Sequence, residues 1–297
     1  MQATVGLLVL AAALAAPSTA LSQGGGRGLP AVSPDGRHIA FIGTGTGRDR
    51  LFMIGADGAD ARELAVPGTD GRMPRWTTDG ELLFGGTGAD TGKVFAVSGD
   101  GGTPRVVASV PGRSPVLSPD GTRVLYLVGP WTSTALVVAD TDGSHARTLA
   151  GGRAMSTAWN GAWSPDGARV AYAYGDSSRR LQVHIVKSDG SGDRAVTHTS
   201  PEEGSAQMPA WSPDGRRLAV QVNNARAHSS EIWIVDVSTG AALARSRHAA
   251  AYLDETPSWF PDGARLAFQS NRTGAMEVWV MGADGSNPRQ VTGRSGP

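Results

Sequence analysis

Ser212-Pro213-Asp214-Gly215, followed by Arg216-Arg217 and the apolar Leu218-Ala219-Val220, is the stretch whose reading decides the fold. The same tetrapeptide stands at 33–36, 118–121 and 164–167. Residues 260–263 change only the Ser, to Phe260, and 77–80 are a degenerate copy. The six aspartates are Asp35, Asp79, Asp120, Asp166, Asp214 and Asp262, at successive spacings of 44, 41, 46, 48 and 48 residues. That period is the length of one four-stranded propeller blade.

Each copy has the same surroundings. Three residues before the Asp stands an apolar side chain: Val32, Trp76, Leu117, Trp163, Trp211 or Trp259. After the Gly comes an alternating apolar pair, such as Ile39 and Phe41 or Val170 and Tyr172, the period of a half-buried strand. A polar gap, a third apolar segment and a second Asp-Gly follow, with Thr239-Gly240 in its place in the fifth copy. A short fourth strand ends the unit. Pro presets φ for a turn, Asp tolerates the next position and Gly takes the left-handed one, so the aspartates are expected to shape turns and not to do chemistry.

Each unit therefore reads as a four-stranded antiparallel meander. Six of them can bury their apolar faces only against one another, which radial closure achieves. The expected fold is all-β, a six-bladed β-propeller of four-stranded antiparallel blades. It occupies 23–297, with blades at about 29–73, 74–114, 115–160, 161–208, 209–256 and 257–292. The repeat begins and ends in phase, so closure is expected to rest on side-chain packing between the first and last blades. The apolar residue before each turn is expected to pack between blades. No helix is predicted.

Composition narrows the function classes. The 297 residues carry 27 basic and 27 acidic side chains, so a general nucleic-acid or anionic-membrane partner has no electrostatic support. With no cysteine, disulfides and thiolate metal sites are excluded. Glycine, at 41 residues, is about twice its usual share, as many tight turns require. The first 22 residues read as a signal peptide. An apolar run at 5–16 is followed by Ser18, Ala20 and Ser22, which fit small-x-small cleavage, although residues 1–4 lack Lys and Arg. The run is too short to span a bilayer, and no Cys follows it for lipid attachment. A periplasmic or secreted monomer with no transmembrane segment after signal removal is the expectation.

The sixth unit, from Pro257-Ser258-Trp259-Phe260-Pro261-Asp262-Gly263 through Val278-Trp279-Val280 to Asp284-Gly285 and Val291-Thr292, closely resembles the TolB-type propeller repeat. Units four and five match nearly as well, units one to three more loosely, and together they cover about 29–292. The resemblance implies a propeller, an exported location and protein–protein binding at the funnel mouth. TolB proteins also carry an α/β domain ahead of the propeller, for which the six residues at 23–28 leave no room. Prolyl oligopeptidase-type peptidases use the same repeat beside a hydrolase domain, and no such domain is expected in this chain.

Catalytic motifs are not found. There is no G-x-S-x-G; Gly293-Arg294-Ser295-Gly296-Pro297 fails at its last position. The six histidines form no H-x-H or HExxH pattern, and Asp140-Thr141-Asp142-Gly143-Ser144 lacks the rest of a calcium loop. No catalytic residue, cofactor or metal is expected, and the chain is expected not to be an enzyme. Propellers bind where loops converge at the channel ends, so the residues leading into each innermost strand are the candidates. These are Arg72, Arg113, Trp159, Asn160, Gln207 and Glu255, with Met73, Ser114, Met208 and Thr256 beside them. They differ from blade to blade, whereas the turns do not. Solvated loop residues are the plain alternative. Trp159 stands out because Trp163 already fills the packing position, and Trp131 reads as cover for a blade edge. A protein or peptide partner is the favoured expectation; the alternatives are a metal-assisted, lyase-like enzyme acting on polysaccharide and a structural unit of a larger assembly.

Overall fold

The computed structural model describes residues 27–44, 49–64, 66, 72–130, 132–152, 157–175, 180–224, 226–246 and 252–293. The signal sequence expected at 1–22 and Trp131 lie outside the described residues. Six four-stranded antiparallel sheets follow one another along the chain, each built from consecutive strands in simple order. The first sheet holds β1 (Arg27–Val32), β2 (His38–Thr44), β3 (Asp49–Gly55) and β4 (Arg62–Glu63). The second holds β5 (Arg72–Trp76), β6 (Glu81–Gly85), β7 (Lys93–Ser98) and β8 (Arg105–Ser109). In the third are β9 (Arg113–Leu117), β10 (Arg123–Val128), β11 (Ala135–Asp140) and β12 (Arg147–Gly151). The fourth comprises β13 (Thr157–Trp163), β14 (Arg169–Gly175), β15 (Leu181–Lys187) and β16 (Arg194–Ala195). The fifth has β17 (Ser205–Trp211), β18 (Arg217–Asn224), β19 (Ser229–Asp236) and β20 (Ala242–Arg245). The sixth has β21 (Asp254–Trp259), β22 (Arg265–Ser270), β23 (Glu277–Gly282) and β24 (Arg289–Gln290). The molecule is a six-bladed β-propeller. Its sole helical turn among the described residues is a 3-10 turn at Gly88–Asp90, where the sequence predicted none.

The turns follow the chemistry of their residues. Gly36, Gly121, Gly167, Gly215 and Gly263 all have φ between +64° and +71°, a region that costs other residues a steric clash. The Ser before four of the five Pro-Asp-Gly turns does more than the sequence suggested. Ser212 Oγ donates to Asp214 Oδ1 at 2.5 Å and accepts from the Arg217 amide at 2.9 Å, and Ser33, Ser118 and Ser164 do the same. These Ser hydroxyls, with backbone N–H groups, hold the carboxyls of Asp35, Asp120, Asp166 and Asp214 below the usual carboxylate range.

The period-two pattern implied strands buried on one face. Instead, the middle strands are buried on both, as in β10, β11 and β23. The reason is that each blade is sandwiched between two others. Large residues such as Ile39 and Phe41 face the preceding blade, while Ala40 between them faces the next. The same large–small alternation recurs at Val170-Ala171-Tyr172 and Leu266-Ala267-Phe268. Six apolar clusters result, one per joint, and the joint between blades 6 and 1 packs Ile39 and Phe41 against Phe260, Val278 and Val280. No strand is exchanged there: all four strands of each sheet come from one segment.

In four blades the apolar residue before the turn is a Trp that staples a joint. Trp211 Nε1 donates to the Ala162 carbonyl of the preceding blade at 3.0 Å; Trp76, Trp163 and Trp259 reach Ala31, Val116 and Ala210 in the same way. An arginine from the preceding blade covers three of these rings: Arg123 over Trp163, Arg169 over Trp211 and Arg217 over Trp259, each at 4.7–4.8 Å. The same guanidiniums donate to the glycine carbonyls Gly167, Gly215 and Gly263 of the next turn. The joint between blades 2 and 3 has neither part, since Leu117 stands where the Trp would be and Glu81 where the Arg would be.

Candidate functional site

The inner strands β1, β5, β9, β13, β17 and β21 surround the axis, and each contains a bulge at the same place. Between Glu255↔Gln269 and Ser258↔Ala267 the inner strand advances three residues while its partner advances two. The other five blades do likewise. The extra residue takes a left-handed backbone in every blade: Leu29, Met73, Ser114, Asn160, Met208 and Thr256 have φ of 50–54°. Such a conformation in six non-glycine residues stores strain, which the surrounding sheet holds in place. The next residue is Pro30, Pro74, Pro115, Pro209 or Pro257, with Gly161 in blade 4. Proline fits at a bulge because no ladder bond needs its missing N–H.

The sequence-derived candidates occupy this ring. Arg72, Arg113, Trp159, Gln207 and Glu255 share one position, the residue just before the bulge, and Gly28 is its counterpart in blade 1. Asn160 is itself the left-handed residue of blade 4. They lie inside the inner strands and not in loops ahead of them, because extended pairing starts at or before each one. For Arg72 and Trp159 the backbone position alone is described.

The side chains differ in what they do. Arg113 turns over its own blade, donating to the Gly129 carbonyl at 2.7 Å and to Thr134 Oγ1 at 3.0 Å. Gln207 and Asn160 are half-buried. Glu255 is the node of a polar network across three blades. It accepts from Gln269 Nε2 at 2.7 Å and Gln221 Nε2 at 3.3 Å. The two glutamine oxygens in turn accept bulge N–H groups of the following blades, Gln269 from Leu29 at 3.0 Å and Gln221 from Thr256 at 3.2 Å. The amides thus satisfy backbone donors that the bulges remove from the ladder.

Beyond the ring runs a central cavity of about 970 Å³, reaching from Met73, Pro115, Pro209 and Pro257 near the bulges to Pro119, Pro165 and Pro213 at the turns. It also opens sideways into the unstapled joint between blades 2 and 3, where Leu83, Val94, Val107 and Leu117 line it. Two arginines line it: Arg105, which is paired with Glu81, and Arg75, which pairs with no carboxylate among the described residues. Arg75 occupies a position held elsewhere by Ala31, Val116, Ala162, Ala210 and Ser258, and sequence reasoning missed it. The signal was available once the inner strands were aligned, as Pro-Arg-Trp against Pro-Ala-Trp and Pro-Ser-Trp. Among the described residues no group of three or more His, Cys, Asp or Glu side chains is placed to hold a metal ion.

This geometry has known relatives. The TolB β-propeller domain matches residues 122–296, and the β-propeller domain of lipoprotein LpqB matches 12–163. No curated protein matches the chain. Among solved structures, a protein described as a TolB from Agrobacterium tumefaciens is similar with a TM-score of 0.61 at 22% identity, over 78% of this chain and 84% of that one. An oligogalacturonate lyase in complex with manganese gives 0.57 at 16%, over 88% and 75%. A puromycin hydrolase gives 0.66 at 16%, over 92% of this chain and 54% of that one, so this chain spans about half its length. At these identities the likeness is one of fold. It nevertheless corrects the expectation that the chain is not an enzyme. The same propeller occurs in a lyase and a hydrolase, so missing sequence motifs exclude no catalysis here. The TolB β-propeller match alone covers more than half of the sequence, and the chain belongs to that family.

Proposed function

We propose that this propeller is an exported binding module that grips a protein or peptide partner at the bulge end of its channel. One observation carries the reading. The backbone of the ring is the same in six blades, yet the position before the bulge bears Gly28, Arg72, Arg113, Trp159, Gln207 and Glu255. Uniform packing gives no reason for guanidinium, indole, amide and carboxylate to alternate at one register position. A partner that is itself irregular, as a peptide is, does. Arg and Trp are also the residue types that most often anchor interfaces. Export is supported by the leader-like first 22 residues and by the match of residues 12–163 to the propeller domain of a lipoprotein, LpqB. The molecule acts as a monomer in this reading.

The test is capture from an envelope extract by the full chain and by the double variant Trp159→Ala, Gln207→Ala. Arg113 is left intact, since its bonds to Gly129 and Thr134 support blade 3. The expected result is loss of the captured partner with an unchanged thermal midpoint. Undiminished capture by a folded double variant would refute the assignment of the bulge end.

A further inference from the structure

Arg75 stands in the channel without an acid to balance it. Its Nη1 donates to the carbonyl of its own neighbour, Pro74, at 2.9 Å, and no carboxylate pairs with it among the described residues. The acids sharing the cavity are Asp79, Glu81 and Asp120. Glu81 is taken by Arg105, and Asp120 by Ser118 and Thr122. Burial pulls the Arg75 guanidinium below its usual pKa, and no charged neighbour opposes that shift. Arg75 is half-buried and lines the channel, and the other five blades carry Ala, Val or Ser at this position.

We propose that Arg75 receives the C-terminal carboxylate of a peptide lying in the channel, with the peptide's last side chain in the open joint between blades 2 and 3. The inference rests on the channel being the binding site. Arg presents a planar fork that matches a carboxylate with two parallel hydrogen bonds, and only one of its nitrogens is engaged, by a single backbone carbonyl. Capture of a chain terminus by fixed donors is a recurrent mode of peptide recognition. The joint beside Arg75 is apolar, lined by Leu83, Val94, Val107 and Leu117, and it is open because Leu117 and Glu81 replace the Trp and Arg that fill other joints. An aliphatic side chain suits it. A sugar acid would place hydroxyls against these walls with no partners, at an energetic cost. A volume of about 970 Å³ holds a few residues of peptide.

The probes are two randomised heptapeptide pools, one with free carboxyl termini and one with C-terminal amides, passed over the immobilised full chain and read by mass spectrometry. The wild type is expected to enrich free acids over amides by about tenfold or more, the range of a charge-assisted bond, with aliphatic residues favoured last. Arg75→Gln should bring the ratio near one, and Arg75→Lys should keep part of it. Circular dichroism confirms that both variants fold. A preference that survives in a folded Arg75→Gln overturns the proposal. Equal retention of both pools by the wild type overturns the role of Arg75 and leaves peptide binding in the channel standing. Retention of neither pool removes both readings together. Tighter binding of trigalacturonate than of the free acids, lost in Arg75→Gln, would overturn the peptide and assign Arg75 to a saccharide acid instead.

Discussion

Replacing Trp211 by alanine measures the strength of one joint. The side chain is 8% exposed, in the cluster between blades 4 and 5. Removing a buried aromatic costs roughly 3–5 kcal/mol, part of it for the cavity left behind. Within that sum, the Nε1 bond to Ala162 at 3.0 Å contributes about 1 kcal/mol. The stack with Arg169 at 4.7 Å adds about 0.5–1 kcal/mol. Trp211→Phe keeps most of the apolar volume and should lose only about 1–2 kcal/mol, largely through the orphaned Ala162 carbonyl. The assay is urea unfolding followed by tryptophan fluorescence, accepted where the slope of each variant equals that of the wild type. A double-mutant cycle of Arg169→Met with Trp211→Leu, which removes the ring, should return a coupling of about 0.5–1 kcal/mol. An unchanged midpoint for Trp211→Ala would show that the indole is no staple, and zero coupling would remove the stack from the account.

Two further perturbations reach other parts of the ring. Ser and backbone donors depress the carboxyls of Asp35, Asp120, Asp166 and Asp214, and Ser238 leads the groups that hold Asp236 at about 2. The unfolded chain therefore takes up protons first as pH falls below the ordinary Asp value of 3.8, so the thermal midpoint should be level above about pH 5 and drop towards pH 2. A midpoint as high at pH 2.5 as at pH 6 would contradict this. Thr256 is β-branched with φ of +51°, where asparagine is better tolerated; Thr256→Asn should raise the midpoint by the equivalent of about 1 kcal/mol, and a clear fall would show that the strain argument fails there.

What the sequence disclosed was whatever local chemistry enforces. Pro-Asp-Gly can be read as a turn because each residue has its own reason to be there, and the same turn in four exact copies and two variants gives the blade count. The role of the leading Ser was hidden, since its partners, such as Asp214 and the Arg217 amide, meet only after the turn has formed. The bulges were hidden for a different reason: Leu29, Met73 and Thr256 are poor left-handed residues, so propensity argues against the conformation that the sheet imposes. The one trace was a proline within each inner strand but that of blade 4. The candidate residues were visible as a position that varies, yet where Arg113 points depends on Gly129 and Thr134, set by folding. Arg75 went unread because a single arginine has no motif; it becomes conspicuous only against its five counterparts.

Closing the ring is inexpensive in loop entropy. Joints between neighbouring blades tie residues 45–49 positions apart, as in the Trp76 and Trp211 bonds. The joint between blades 6 and 1 ties Val32 to Ser258, 226 positions apart. Because the entropy of closing a loop grows only with the logarithm of its length, that last joint costs about 1.4 kcal/mol more than any local one. Burying a phenylalanine side chain contributes about 1.5–3 kcal/mol, and Phe41 and Phe260 are both fully buried at this seam. These two aromatic rings thus more than offset the added entropy of the long closure, and the seam needs no exchanged strand to make up that difference.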